Sequence, residues 1–340
     1  MVTVIVPVRN EARSIGACLT AILAQDYPHD ALEVIVVDGD SDDKTLDIMR
    51  ALPGAERVCV LANPLRGQAA GINRALQAAR GQIIVRVDAH AIIARDYVRQ
   101  CVSALETTGA ACVGGQMRPV GRSRMGLAIA AALTTRFAVP SAFHVSGKAQ
   151  YTDTVYMGAW PRSVLNTLGG FDEDLTANED YELNFRIRRS GGSVYLSPLI
   201  QSAYVGRQSL RALARQYFRY GIGKTQVLKK YPASLRIRQL VAPAFVATLF
   251  AGALLSSVSP LASVLLLTLL SLYVALAFAY AATSRGGRPV FWRMPLVYMT
   301  LHLALGAGFW AELLRIHRHS IPRSSPTRSS VAQSPIALEE

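Results

Sequence analysis

Charge is scarce in this 340-residue chain, and acid is the scarcer sign: 23 Asp and Glu stand against 36 Lys and Arg. Charged residues make up only 17% of the sequence, while apolar residues reach 51% and the mean hydropathy is +0.25. That balance is unusual for a wholly soluble protein and predicts membrane segments. The net charge of +13 suits anionic lipid or phosphorylated substrates. It would suit nucleic acid too, but the chain has no zinc finger and no RNP aromatic pair, so no nucleic-acid partner is expected. Cysteine is rare. Cys18, Cys59, Cys101 and Cys112 all fall in the first third, at spacings that match no zinc motif. They read as small buried hydrophobes of a reduced, cytosolic domain. Met1 runs straight into Val2–Pro7 with no basic stretch or cleavage site, so no signal peptide is expected.

Glycine-rich phosphate loops are missing as well. Residues 2–8 read as a buried strand, and the turn after it is Arg9-Asn10-Glu11-Ala12, with Asn10 placed to cap a helix over roughly 12–25. A dinucleotide-binding fold would carry Gly-x-Gly-x-x-Gly at that turn, and a P-loop its Gly-Lys-Ser/Thr; neither occurs. Further strands read at 33–37, 57–61 and 82–87, separated by helices over about 43–51 and 69–79. This alternation predicts an α/β, mostly parallel, doubly wound sheet. The residues after its strands are carboxylates: Glu11, Asp38, Asp40 and Asp88.

In such sheets ligands bind outside the carboxyl ends of the strands. Asp88 and His90 sit there, two residues apart, and can point the same way. Taken alone, they read equally as a helix cap beside a loop histidine or as an oxygen–nitrogen pair for a divalent cation. Carboxylates repel a bare diphosphate, so a carboxylate-lined nucleotide site needs a metal or reads ribose and base. That consideration favours the metal.

Together Val6-Pro7-Val8-Arg9-Asn10-Glu11, Val36-Val37-Asp38-Gly39 with Ser41 and Asp43, Asn63 to Asn73, and Val87-Asp88-Ala89-His90 resemble family 2 glycosyltransferases. Within that family the chain looks most like the membrane-linked bacterial enzymes of succinoglycan-type exopolysaccharide assembly. The resemblance covers about residues 2–230 and implies a GT-A fold. It also implies a nucleotide-diphosphate sugar donor, UDP-sugars foremost, and a divalent cation, Mn2+ or Mg2+. Pro7, Asn10, Glu11, Asp38, Asp40 and Asp88 would lie around the nucleotide, with Asp38 on the base and Arg66 reaching in from its loop. The family's Asp-x-Asp reads Asp88-x-His90 here, which gives the metal pair.

Residues 110–118 could form another strand, and the apolar stretch from Met125 to Ala142 reads as buried or interfacial because Arg136 and Pro140 interrupt it. By resemblance the region around Trp160 forms an acceptor-side wall, with a helix opening at Pro161. Residues 178–189 read as an amphipathic helix, Leu183, Phe185 and Ile187 inward and arginines outward. By spacing alone Glu179 and Asp180 only complement its dipole. The resemblance instead makes Asp180 the catalytic base, supported by Glu179. Arg207, Arg211, Arg215 and Arg219 form a stripe at helical spacing, either a solvated face, a membrane-surface helix or a phosphate clamp. Gln216 to Tyr220 resembles the Gln-x-x-Arg-Trp motif of related enzymes. Gln216, Arg219 and Tyr220 would then meet diphosphate or acceptor sugar.

Val241 to Ser259 and Leu261 to Thr283 are uncharged and read as a hairpin through the bilayer, with Pro295 to Leu314 as a third candidate, spanning or re-entrant. Arg236, Arg238, Arg285, Arg288 and Arg293 would stay cytoplasmic. The expected layout is a catalytic domain over 1–205, a basic interface segment over 206–238, a membrane part over 239–316, and a disordered tail over 317–340. The whole is expected to be a multi-pass cell-membrane protein with its catalytic domain cytoplasmic, an inverting glycosyltransferase acting on a membrane-held, lipid-linked or other glycan acceptor. A non-catalytic assembly subunit and a processive synthase are the alternatives.

Overall fold

The computed structural model describes residues 1–138, 141–284 and 287–314. Pro140, Arg285, the last residues of the expected membrane part and the tail expected over 317–340 lie outside the described residues. In chain order the elements are β1 (Val2–Val8), α1 (Ile15–Leu23), β2 (Leu32–Asp38), α2 (Thr45–Arg50), β3 (Val58–Ala62), α3 (Gln68–Ala78), β4 (Ile83–Arg86) and β5 (Ala91–Ile93). Then come α4 (Tyr97–Thr108), β6 (Cys112–Val120), α5 (Arg124–Leu133), α6 (Ala142–Val145), β7 (Gln150–Tyr151), β8 (Tyr156–Pro161), α7 (Arg162–Leu168), α8 (Glu179–Arg189) and β9 (Val194–Val205). The rest is helical: α9 (Leu210–Lys230), α10 (Val241–Leu255), α11 (Pro260–Ala282), α12 (Arg288–Phe291) and α13 (Met294–Leu313).

One sheet of nine strands runs in the order β3-β2-β1-β4-β8-β6-β9-β5, with β7 beside β9. Its first four strands are parallel, as the alternating pattern predicts. Alternate side chains feed two cores: Val4, Val6, Val34 and Val36 pack on one face, Ile5, Ile35 and Val37 on the other. Both faces are dry, which is why these strands read as continuous apolar runs. The second half of the sheet is mixed. β8 enters between β4 and β6 antiparallel to both, because the chain wanders through residues 121–155 and returns from the opposite end. A third core joins α5 and α9 to α11 and α13, so the stretch near Met125 is buried against the C-terminal helices.

Asn10 caps nothing. Helix α1 starts at Ile15 after Ser14, while Asn10, in the left-handed region, accepts from the Asp42 N–H and donates its own N–H to Ser41 Oγ. It ties the β1 turn to the β2 turn. Two stretches among the described residues are long and apolar enough to cross a membrane, Pro260–Ala282 and Arg288–Leu313. Helix α10 is not: its 15 residues reach about 22 Å against a hydrocarbon core of about 30 Å, because the Ser256-Ser257-Val258-Ser259-Pro260 turn ends it early.

Helix α9 is pinched between two neighbours by glycines. At Gly223 a Cβ would stand 2.4 Å from the Ala177 carbonyl, in the loop that leads into α8; at Gly308 of α13 it would stand 2.0 Å from the Phe218 carbonyl. Both contacts are backbone on backbone and cannot yield by a rotamer change. Gly308→Ala should therefore lower stability by about 1–3 kcal/mol despite alanine's better helix propensity. Thermal unfolding of the detergent-solubilised chain checks this, and an unchanged midpoint would contradict so close a packing.

Candidate active site

The carboxyl ends of β1, β2 and β4 open on a cavity of about 270 Å³ lined by Pro7, Glu11, Arg66, Asp88, His90 and Arg219, among others. Arg219 comes from α9, more than a hundred residues after Asp88, so one arginine of the stripe shares the cavity with the strand-end carboxylates Glu11 and Asp88. At its rim Arg66 and Asp40, both at positive φ, pair with each other. Arg9 adds a further guanidinium to the lining. Gln216 donates to the Tyr220 hydroxyl at 2.8 Å and accepts from Arg207 at 3.1 Å, which holds that aromatic ring beside the cavity.

The deep end of the site is governed by Arg86, a residue the strand pattern had left unassigned. It is the last residue of β4 and only 3% exposed. Its Nε lies 2.9 Å from Asp88 Oδ1, its Nη2 3.3 Å from Glu179 Oε1, and its Nη1 bonds Asp180 Oδ1. Gln68, at the start of α3, completes the fork when its amide is oriented to match its neighbours: its oxygen then accepts from Nη2 at 2.7 Å and its nitrogen donates to Glu179 at 3.2 Å. One guanidinium thus joins the strand-end aspartate to the acidic start of α8. The signal available in the sequence was a cation inside an apolar strand, where an unpaired charge is prohibitive.

Three carboxylates around one arginine leave excess negative charge. Burial raises the Asp180 pKa to about 7, Arg86 opposes that shift, and Glu179 and Asp88 add to it. Burial also disfavours the Asp88 anion, yet Arg86 and His90 outweigh it and hold Asp88 below the ordinary carboxylate range. The environments push the two aspartates apart. At the cavity, His90 Nδ1 stands 3.3 Å from Glu11 Oε1, and Ser14 Oγ donates to Glu11 at 2.5 Å. Burial works against the imidazolium, but the Glu11 hydrogen bond and the Asp88 charge raise the His90 pKa above its usual value.

Other expected site residues fall elsewhere. Trp160 is a core residue, 1% exposed, on β8 against Phe171, so it forms no acceptor wall. Strand alternation turns its ring into the core under α3 and α7. Asp38 gives both carboxylate oxygens to Ser41, Oδ1 at 2.6 Å and Oδ2 at 3.1 Å, and so shapes the β2 turn. In α8, Leu183, Phe185 and Ile187 are inward as expected, but Arg186 is not outward: it forms a two-pronged pair with buried Glu182.

Asp88 and His90 suit a hard divalent cation that takes its other ligands from diphosphate oxygens and water. Among the described residues no three His, Cys, Asp or Glu side chains converge closely enough to hold an ion without substrate.

Removing the guanidinium leaves the three carboxylates facing one another. Arg86→Gln should destabilise the fold by roughly 3–5 kcal/mol. In that variant the folded-state carboxyl pKa values rise above the unfolded ones, so the deficit should be largest at high pH and shrink as the pH falls. Unfolding midpoints of wild type and variant at pH 5 and pH 8 test the sign; a deficit independent of pH would contradict it.

The sequence comparisons agree with this geometry. The model "Glycosyl transferase family 2" matches residues 3–141, and "Glycosyl transferase family group 2" matches residues 83–311. The chain is 32% identical to the succinoglycan biosynthesis protein ExoA of Rhizobium meliloti (strain 1021) over 93% of its own length and 96% of that protein's. It is 26% identical to a dolichyl N-acetyl-alpha-D-glucosaminyl phosphate 3-beta-D-2,3-diacetamido-2,3-dideoxy-beta-D-glucuronosyltransferase of Methanococcus voltae, over 67% of this chain and 74% of the relative. Among solved structures it is similar to the mannosyltransferase PcManGT of Pyrobaculum calidifontis in complex with GDP-Man and Mn2+, with a TM-score of 0.66, 25% identity, and coverage of 92% of this chain and 87% of that one. The nine-stranded sheet with its strand-end cavity is the GT-A fold. A buried arginine that joins a strand-end aspartate to an acidic helix start thus sits in a glycosyltransferase, and the chain belongs to glycosyltransferase family 2.

Proposed function

We propose that this chain moves a sugar from a nucleotide-diphosphate sugar to a membrane-held, lipid-linked glycan acceptor, with inversion at the anomeric carbon. The observation that carries the proposal is the Arg86 fork, which sets Asp88 on the cavity and Asp180 behind it as two separate carboxylates. The donor's diphosphate would lie in the cavity, where Arg9, Arg66 and Arg219 offer guanidiniums to its oxygens. Asp88 and His90 would hold a divalent cation there, His90 giving up its proton to do so; when bound, such an ion stabilises the charge that builds on the leaving diphosphate. Support for the donor and the ion comes from the GDP-Man and Mn2+ bound in the similar mannosyltransferase.

On the other side, Asp180 takes the proton of the acceptor hydroxyl as its oxygen attacks the anomeric carbon. The carbon–oxygen bond to the diphosphate breaks with its electron pair, and the nucleoside diphosphate leaves. One displacement from the face opposite the leaving group inverts the centre. Glu179 keeps Arg86 in place, so the guanidinium neither leaves the base nor swamps it. A membrane-held acceptor is supported by the two long apolar stretches and by the dolichyl phosphate in the relative's name. We assign residues 1–205 to catalysis, 206–238 to a basic interface and the helices beyond 239 to lipid, with the catalytic part on the cytoplasmic side.

Asp180→Asn should retain donor binding and lose transfer by about 10²–10⁴-fold, the contribution of a positioned base. Sugar-nucleotide binding beside a transfer assay checks both halves; undiminished transfer would remove Asp180 from the mechanism. The base acts deprotonated, so kcat/KM should rise with pH until about 7 and level above it. An activity that falls over that range would contradict the assignment. His90→Ala should raise the Mn2+ concentration needed for half-maximal activity about 10–100-fold, by analogy with other losses of metal-site residues. A metal requirement unaffected by that change would leave His90 lining the cleft only.

A further inference from the structure

We propose that Arg188, Lys224, Arg236 and Arg238 form a seat for the phosphate headgroup of an anionic phospholipid, at the membrane surface and apart from the strand-end cavity. The inference rests on the reading above that residues 206–238 meet lipid, and it names the ligand and the side chains that hold it.

The four cations come from three segments that meet around one acid. Arg188 lies in the last turn of α8, Lys224 in α9, and Arg236 and Arg238 just before α10 opens at Val241. Asp153 stands among them: its carboxylate pairs with Arg238, and its carbonyl accepts from Arg188 Nε at 3.3 Å. Arg188 Nη2 is buried and has no partner among the described residues. The Lys224 ammonium lies 3.1 Å from the centre of the Tyr181 ring. Asp153, the acid whose charge acts on that ammonium, is already taken by Arg238. One carboxylate cannot serve four cations.

The cations therefore repel one another. Burial lowers the Lys224 pKa to about 7; Asp153 opposes the shift and Arg238 adds to it. Burial lowers the Arg188 pKa as well, against Asp153, and Arg236 and Arg238 lower it further. A bound anion relieves that repulsion, whereas well-solvated surface charges have little to relieve.

The seat is held in shape before any ligand arrives. The Tyr181 hydroxyl donates to the Ser234 carbonyl, and the Tyr231 ring packs on Phe185 with centroids 5.4 Å apart. With the Asp153–Arg238 pair, these contacts pin residues 231–238 against α8. Guanidiniums fixed in this way bind phosphate without the cost of ordering them first.

The phosphate that fits is a lipid's. Ile237, between Arg236 and Arg238, is 88% exposed, and Val241 is exposed beside it at the start of an uncharged helix. A soluble phosphate has no use for apolar side chains at that place; a phospholipid brings acyl chains directly below its phosphate. None of the four cations lines the strand-end cavity, so the seat is a separate site.

The test uses the full chain, purified in neutral detergent, stripped of lipid and titrated with phosphatidylglycerol under native mass spectrometry. Wild type should retain one phosphatidylglycerol and hold phosphatidylcholine about 10-fold more weakly, since choline adds a cation to a cationic seat. Arg236→Gln, on an exposed side chain, should weaken phosphatidylglycerol about 3–10-fold, and Arg236→Gln with Lys224→Met about 10–100-fold. Arg74→Gln, an equal loss of charge on exposed α3, should leave binding unchanged. Asp153→Asn removes the competing acid and should tighten binding, a gain that misfolding cannot produce. Binding indifferent to both Arg236→Gln and Asp153→Asn, or weakened as much by Arg74→Gln, would overturn the proposal. Displacement of the lipid by inorganic phosphate as readily as by a second phospholipid would overturn it too, in favour of a site for free anions. So would displacement by a polyprenyl phosphate at lower concentration than by phosphatidylglycerol, which would make the seat part of the acceptor site. Whether the chain still needs detergent to leave its membrane judges membrane attachment on its own, and none of these readings depends on transferase activity.

Discussion

The site depends on how one buried guanidinium is shared. Arg86 is covered by protein and faces Asp88, Glu179 and Asp180, which come from two segments some ninety residues apart. A charge in that position persists only because it is paired and fully hydrogen-bonded. The same pairing sets the chemistry: with one cation among three anions, Asp88 stays ionised and Asp180 keeps its proton to about pH 7. Two carboxyl groups of different protonation are thus held by a single residue that touches both.

Around that fork the packing leaves little freedom. Helix α9 presses Gly223 against the loop before Asn178 and meets Gly308 of α13 at Phe218, while Arg219 lines the strand-end cavity. The loop before α8, Arg219 on the cavity and the C-terminal helix α13 are therefore arranged by one helix.

Much of the first half of the sheet was legible in the sequence. Strands β1 and β2 read correctly because both their faces are buried and they carry apolar runs. The carboxylates at their ends pointed to a site because ligands bind at the carboxyl ends of parallel strands, although a cap or a turn explains an acid there as well. The second half was less legible. Trp160 was expected on an acceptor-side wall, yet it is a core residue, since an aromatic ring in a short strand carries no mark of which face it takes. Asn10 looked like a helix cap but ties the β1 turn to the β2 turn, and Asp38 also accepts from Ser41 within the β2 turn.

By itself, then, the sequence determined the alternation of strands and helices, the absence of a glycine phosphate loop, the basic balance and the uncharged C-terminal helices. These are local properties, set by residue type and period. Only the tertiary structure decided that β8 runs against its neighbours, that Arg86 rather than Asp38 organises the polar centre, and that α13 lies along α9. Those outcomes depend on which distant side chains share a buried charge and which backbones have glycine where they touch, and neither has a period that a linear pattern can show.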